Sequence, residues 1–195
     1  MNFVADAADA GQCLGPGQIA GIGDDAQGFW NNVPARAGRT DALLDHSGAP
    51  TAVSLEVAGD VRPLRGESWG FTGHDEALKR GNVGPVPVLR FRGIPFARYD
   101  VAVHLGTGYD NVQGNLLLSR SGAETDAYAF DFGWNGGKHV VATARPGEKA
   151  PISNYAVFRD VSGDTFELRA EKTGGKGWPG VAGVQILPRS RPSSP

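Results

Sequence analysis

Tyr109-Asp110-Asn111 places a phenol ring, a carboxylate and an amide in three adjacent residues. A sugar lays its C–H faces on such a ring while carboxylates and amides hold its hydroxyls, so the triplet has the composition of a carbohydrate platform. Trp134 beside Asn135, Trp69 and His74 within a loop that also holds Ser68 and Asp75, and Trp178 among glycine and lysine repeat the theme more loosely. These rings stand among Gly, Asn, Asp, Ser and Lys, where a large side chain finds little apolar company. Plugging a loop is the alternative role for each of them.

Catalytic chemistry leaves fewer marks. The chain has no Gly-x-Ser-x-Gly, no phosphate-binding Walker loop, no His-Glu-x-x-His and no EF-hand loop. Gly21-Ile22-Gly23-Asp24-Asp25-Ala26 fits Gly-x-Gly-x-x-Ala formally, but two carboxylates would face a pyrophosphate and no apolar helix follows. Glu167 and Glu171 flank Arg169 with the alternation of a glycosidase acid pair, a pattern that a solvated strand surface also produces. His46, His74, His104 and His139 are scattered and read as surface or packing residues. If an ion is bound it should be calcium, because loop carboxylates, amides and carbonyls supply its oxygen ligands without strict spacing. Asp24, Asp25, Asp110 and Asn111 are the candidates, and all four are also ordinary turn residues. No other cofactor is implied.

The elements that must position these residues are strands. Of 195 residues, 29 are glycine and 13 proline, so the chain turns often and long helices are excluded. Val53 to Val57, Val101 to Leu105, Tyr128 to Phe132 and Phe166 to Ala170 alternate apolar with polar or small residues, each predicting a strand with one buried face. On this pattern Phe130 is a core ring, and Trp30 is also assigned to packing. Weaker strands are expected at Asn2 to Ala5, Val86 to Phe91, Leu116 to Leu118, His139 to Ala142, Tyr155 to Phe158 and Val184 to Leu187. Pro85 and Pro87 make the second of these edge-like. Turns are expected at His46-Ser47-Gly48, Ala58-Gly59-Asp60, Trp134 to Gly137, Val161 to Asp164 and Thr173-Gly174-Gly175. Helix is confined to about one turn, and Val61 to Gly84 is a strand-poor stretch and the first place to look for a site. The fold class is therefore all-β, an antiparallel β-sandwich of jelly-roll type. Residues 1–188 should form one domain, and the Ser/Pro-rich 189–195 a linker or tail.

A net charge of -2 argues against nucleic acid as a partner. No window reaches the length of a membrane span, and the opening residues lack the basic start and apolar stretch of a signal peptide. Cys13, the single cysteine, cannot form an intrachain disulfide.

Asn2-Phe3, Phe29-Trp30-Asn31-Asn32-Val33, Ala97 to His104, Asn154 to Phe158 continuing to Gly163-Asp164-Thr165-Phe166, and Gly183 to Ile186 together resemble a family of extracellular β-sandwich modules. These modules occur in large surface and secreted proteins of planctomycete-type bacteria and are similar in layout to galactose-binding-like jelly rolls. Leu78 to Asn82 matches only part of the family's leucine-basic-glycine segment, and Val61 to Gly84 departs further. The resemblance implies a jelly-roll sandwich, an extracellular or cell-surface location and a non-catalytic role. Residues and resemblance together predict a binding module for a polysaccharide or glycan, acting through Tyr109, Asp110, Asn111, Trp69, His74, Trp134 and Trp178. The alternatives are a structural or adhesive module contacting neighbouring surface proteins, and a glycan-active enzyme whose acids come from separate loops.

Overall fold

Alternating side chains become strand wherever both faces find their environments, and the computed structural model, which describes residues 1–6, 8–120 and 125–189, contains eleven strands. They are β1 (Asn2–Val4), β2 (Asn32–Pro34), β3 (Gly38–Thr40), β4 (Ser54–Arg65), β5 (Gly81–Arg92), β6 (Arg98–Gly106), β7 (Val112–Ser119), β8 (Asp126–Phe132), β9 (Tyr155–Ser162), β10 (Thr165–Gly175) and β11 (Gly180–Pro188). One α-helix, α1 (Gly73–Arg80), precedes β5.

The strands form two layers. β3, β4, β5, β10, β7 and β8 lie side by side in one; β9, β6, β11, β1 and β2 make the other, and every pairing is antiparallel except β1 with β2. β5 joins the layers, because Val88 to Arg92 pair with β10 while Val83 pairs with Val181 of β11. From β5 onward the chain crosses between layers at nearly every connection, as jelly rolls do. Rings meet across the gap: Tyr99 of β6 lies 6.1 Å from Phe166 of β10, and Tyr128 of β8 lies 5.2 Å from Phe158 of β9. Phe130, Leu116, Leu168, Phe91 and Val103 fill the space between. The all-β antiparallel sandwich expected from the alternation is the fold observed.

Several local expectations fail for identifiable reasons. Val86 to Phe91 belongs to an internal strand, paired along its whole length with β4. Its prolines are tolerated because Gly84 to Pro87 have partners on β4 only, between the stretches that pair with β11 and β10. Ala58-Gly59-Asp60 is no turn but lies inside β4 in continuous register with β5. At Gly59, φ is +93° and a Cβ would stand 2.4 Å from the Val86 carbonyl, so only glycine follows this bend. Thr173-Gly174-Gly175 is the bulged end of β10 rather than a turn. The supposedly strand-poor Val61 to Gly84 holds the end of β4, two turns of helix and the start of β5. His139 to Ala142 makes no strand; the segment between β8 and β9 forms the isolated bridges Ala129 to Ala144, Asp131 to Ile152 and Val141 to Tyr155, and its Arg145 donates to the Asp126 carboxylate and the Ala127 carbonyl of β8.

β6 is buried on both faces rather than one. Its outer face, carrying Ala102 and His104, is covered by α1 and the N-terminal segment, where Leu14, Ala20, Trp30 and Leu78 form a second small core. The outer face of the other layer stays wet. There Glu56, Arg90 and Glu167 stand in register on adjacent strands, with Arg90 bonded to Glu167 at 2.8 Å and to Glu56 at 3.1 Å. Burial alone would raise the Glu167 pKa, but Arg90 and Arg169 outweigh it and hold the carboxyl below its usual range. A group held ionised in this way is a poor general acid. Residues 190–195 of the expected tail lie outside the described residues, while Arg189 is anchored by its N–H on the Arg98 carbonyl at 3.1 Å.

Candidate functional site

Chain reversals at one end of the sandwich gather three of the four expected rings. Tyr109 sits in the β6–β7 loop, Trp134 follows β8 and Trp178 lies between β10 and β11; they are 58%, 63% and 42% exposed. Their loops are bonded to one another. Asp110 Oδ1 accepts the Trp134 N–H and the Asn111 N–H, each at 3.1 Å. The Asn111 carbonyl accepts the Lys176 N–H at 2.8 Å. At Gly177, where φ is +65°, a Cβ would fall 2.4 Å from Tyr109 Cδ2, so the phenol ring rests directly on that backbone. The Lys172 ammonium lies 5.0 Å from the centre of the Trp178 ring.

This bonding separates positioning from binding. Asn135 is spent on its own turn, donating to the Gly133 carbonyl at 3.2 Å and accepting the Gly137 N–H at 3.2 Å. Asp110 Oδ2 and the Asn111 side-chain amide make no protein hydrogen bond among the described residues, which leaves both for a ligand's hydroxyls.

Trp69 is elsewhere in role. It is 8% exposed, its Nε1–H donates to the Thr107 carbonyl at 2.7 Å, and its ring meets Phe132 edge-on at 5.3 Å. Its own carbonyl accepts the Gly137 N–H at 2.9 Å, so it supports the Tyr109 and Trp134 loops from beneath. His74 opens α1 and faces the Ile19 carbonyl at 3.2 Å, apart from the rings. Asp24 and Asp25 occupy a short 3-10 turn, and the Asp25 carbonyl accepts the Gln185 amide at 2.7 Å. Among the described residues no three His, Cys, Asp or Glu side chains converge on a metal-sized position.

A buried polar cluster beneath α1 carries no sequence signature except the residue types themselves. Lys79, fully buried, donates from Nζ to the carbonyls of Leu105 at 3.3 Å and Asn154 at 3.2 Å; burial pushes its ammonium down to about 7 against the opposing pull of Asp75. Asp75 lies 3.4 Å from His139 Nε2 and accepts the Gly21 N–H at 2.9 Å. Burial favours its neutral form, but His139, the Gly21 N–H and Lys79 prevail and lower its pKa. His104 Nε2 meets Gln185 Oε1 at 2.8 Å, and burial first, then Lys79, keep this imidazole neutral. The group links α1 to β6, β11 and the segment before β9; Lys79 and His104 are fully buried, while Asp75 and His139 keep part of their surface in solvent. An α1 residue that is basic and fully buried is visible only once the helix is placed.

Fold and rings together define the class: a two-layer antiparallel β-module presenting aromatic side chains on interlocked end loops. No protein-family model matches the chain, and no curated protein matches it. Among solved structures it is similar to TmCBM61, determined in complex with β-1,4-galactotriose, with a TM-score of 0.37 and 16% identity over 69% of this chain and 88% of that one.

Proposed function

We propose that the protein is a non-catalytic carbohydrate-binding module that takes a glycan at the Tyr109–Trp134–Trp178 end of the sandwich. One observation carries the reading: three exposed rings on loops locked to each other by hydrogen bonds, with Asp110 Oδ2 and the Asn111 amide left open beside them. Rings fixed in advance lose little freedom on binding, and a sugar face replaces water over apolar surface. The extracellular or cell-surface setting belongs to the same proposal and is supported by the resemblance described above.

Affinity electrophoresis against a panel of soluble neutral polysaccharides, followed by calorimetric titration, tests the reading. At least one polysaccharide should retard the protein, and Tyr109→Ala and Trp134→Ala should each weaken binding by about 1 to 3 kcal/mol with little change in melting temperature. Absence of retardation across the panel, or variants that bind as the parent does, overturns it.

A further inference from the structure

Five lysines occur in the chain, and one of them, Lys79, is buried beneath α1. Three of the other four lie on the loops that carry exposed rings: Lys138 follows the turn that Trp134 opens, and Lys172 and Lys176 precede Trp178. Neither Trp134 to Lys138 nor Lys172 to Trp178 contains an Asp or Glu.

Backbone contacts fix where these lysines stand. The Lys138 N–H donates to the Asn135 carbonyl at 3.4 Å, and the Lys176 N–H ties its loop to the Asn111 carbonyl at 2.8 Å. Lys172 continues the inward face of Leu168 and Ala170 past the end of the core, which brings its ammonium to 5.0 Å from the centre of the Trp178 ring. Glu171 falls on the opposite face with Glu167 and Arg169. None of Lys138, Lys172 and Lys176 makes an ion pair or a side-chain hydrogen bond among the described residues. Most arginines, in contrast, hold a carboxylate, as Arg90 holds Glu56 and Glu167 and Arg98 holds Asp160. Three ammonium groups without a carboxylate partner therefore stand on the ring-bearing loops of a chain whose net charge is -2. Asp110, beside Tyr109, has Oδ1 taken by two N–H groups and keeps Oδ2 for hydroxyls.

A neutral sugar uses the rings, Asp110 and Asn111 but offers nothing to three ammonium groups. We infer that the ligand is an anionic glycan, whose sugar faces lie on Tyr109, Trp134 and Trp178 while its carboxylate or sulfate groups meet Lys138, Lys172 and Lys176. This rests on the carbohydrate-binding reading and specifies the class of sugar. Lysine suits the task, because a compact charge on a flexible stem follows anions whose spacing varies along a polymer. The contact with Trp178 sets one such charge at the margin of the stacking surface.

Two matched pairs test it by calorimetric titration: polygalacturonate against its fully methyl-esterified form, and dextran sulfate against dextran. Within a pair the sugar faces are the same, so the charged member should bind at least about tenfold more tightly at about 50 mM salt, and the advantage should shrink by about 300 mM. Preference in either pair supports the inference, and the pair that shows it names the anion. Lys138→Gln with Lys176→Gln should cut the preference at least about threefold, whereas Arg39→Gln, which removes a charge on β3, should leave it unchanged. Trp134→Ala should weaken binding of the charged member, and polyglutamate, an anion without sugar, should bind at least about tenfold less tightly than that member. Equal binding of charged and neutral members in both pairs overturns the inference and leaves the carbohydrate-binding reading standing. Polyglutamate binding as tightly, or indifference to Trp134→Ala, reduces the lysines to a general polyanion patch and also overturns it. Failure of all four polymers to bind overturns it as well, and failure of the neutral panel besides removes the carbohydrate-binding reading with it.

Discussion

Replacing Trp69 by phenylalanine probes how the interior holds the rings in place. Two losses follow from its surroundings. The Nε1–H bond to the Thr107 carbonyl at 2.7 Å disappears, but that carbonyl keeps the Glu67 N–H at 3.2 Å, so the cost is that of an ordinary net hydrogen bond, about 0.5 to 1.5 kcal/mol. The smaller ring also leaves part of the indole's volume empty beside Phe132, a cost of about 1 to 2 kcal/mol for a partly collapsing site. Together about 1.5 to 3.5 kcal/mol should be lost, which for a chain of this size lowers the melting temperature by about 3 to 14 °C. Urea unfolding followed by fluorescence and scanning calorimetry would measure it. Thr107 Oγ1 also accepts the Tyr109 N–H at 3.1 Å, so slackening at Thr107 should reach the exposed ring. Affinity for any polysaccharide that binds should therefore fall several-fold although Trp69 is buried. A stability change below about 0.5 kcal/mol would falsify the plug assignment, and lost stability with unchanged affinity would break the link to the platform.

Phe130→Ala removes a ring that is 2% exposed between the layers and should cost about 3 to 5 kcal/mol in denaturant unfolding; under about 1 kcal/mol the inward face of β8 would be misassigned. Gly114→Ala should destabilise by more than about 1 kcal/mol, because the new Cβ would lie 2.4 Å from the Glu171 carbonyl and 2.5 Å from Phe130 Cζ. A melting curve matching the parent's would show that the cross-strand ring yields freely. Lys79 is pushed down to about 7 on folding, so the unfolded chain binds that proton more tightly and stability rises with pH from about 7 towards the ordinary lysine range. His104 is also held neutral, so stability falls as pH drops below the ordinary histidine range. Melting temperature should accordingly climb from about pH 5 to about pH 9, with Lys79→Met flattening the upper part; a flat or falling profile for the parent protein contradicts the burial of Lys79 and His104.

The strands that alternate cleanly are legible without coordinates, since Tyr128, Phe130 and Phe132 or Phe166 and Leu168 leave only one way to bury a face. What escapes is decided by tertiary pairing. β4 runs through Ala58-Gly59-Asp60 because β5 offers twelve partners in register, an advantage invisible to local turn chemistry. α1 lies in a stretch rich in charge, and its buried residues, Leu78 and Lys79, include a lysine that no amphipathic pattern would turn inward. The exposure of Tyr109, Trp134 and Trp178 is legible from their polar company. Trp69 has similar company but is buried by loops distant in sequence, around Thr107 and Gly137.

β5 pairs along its whole length with β4 in one layer and, at Val83, also with β11 of the other, so the sandwich is riveted by a single strand rather than merely pressed together by its filling. Prising the layers apart therefore means tearing backbone hydrogen bonds as well as separating oily surfaces. Amide hydrogens along β5 should be among the slowest in the molecule to exchange with solvent, and neither layer has a cheap way to open alone.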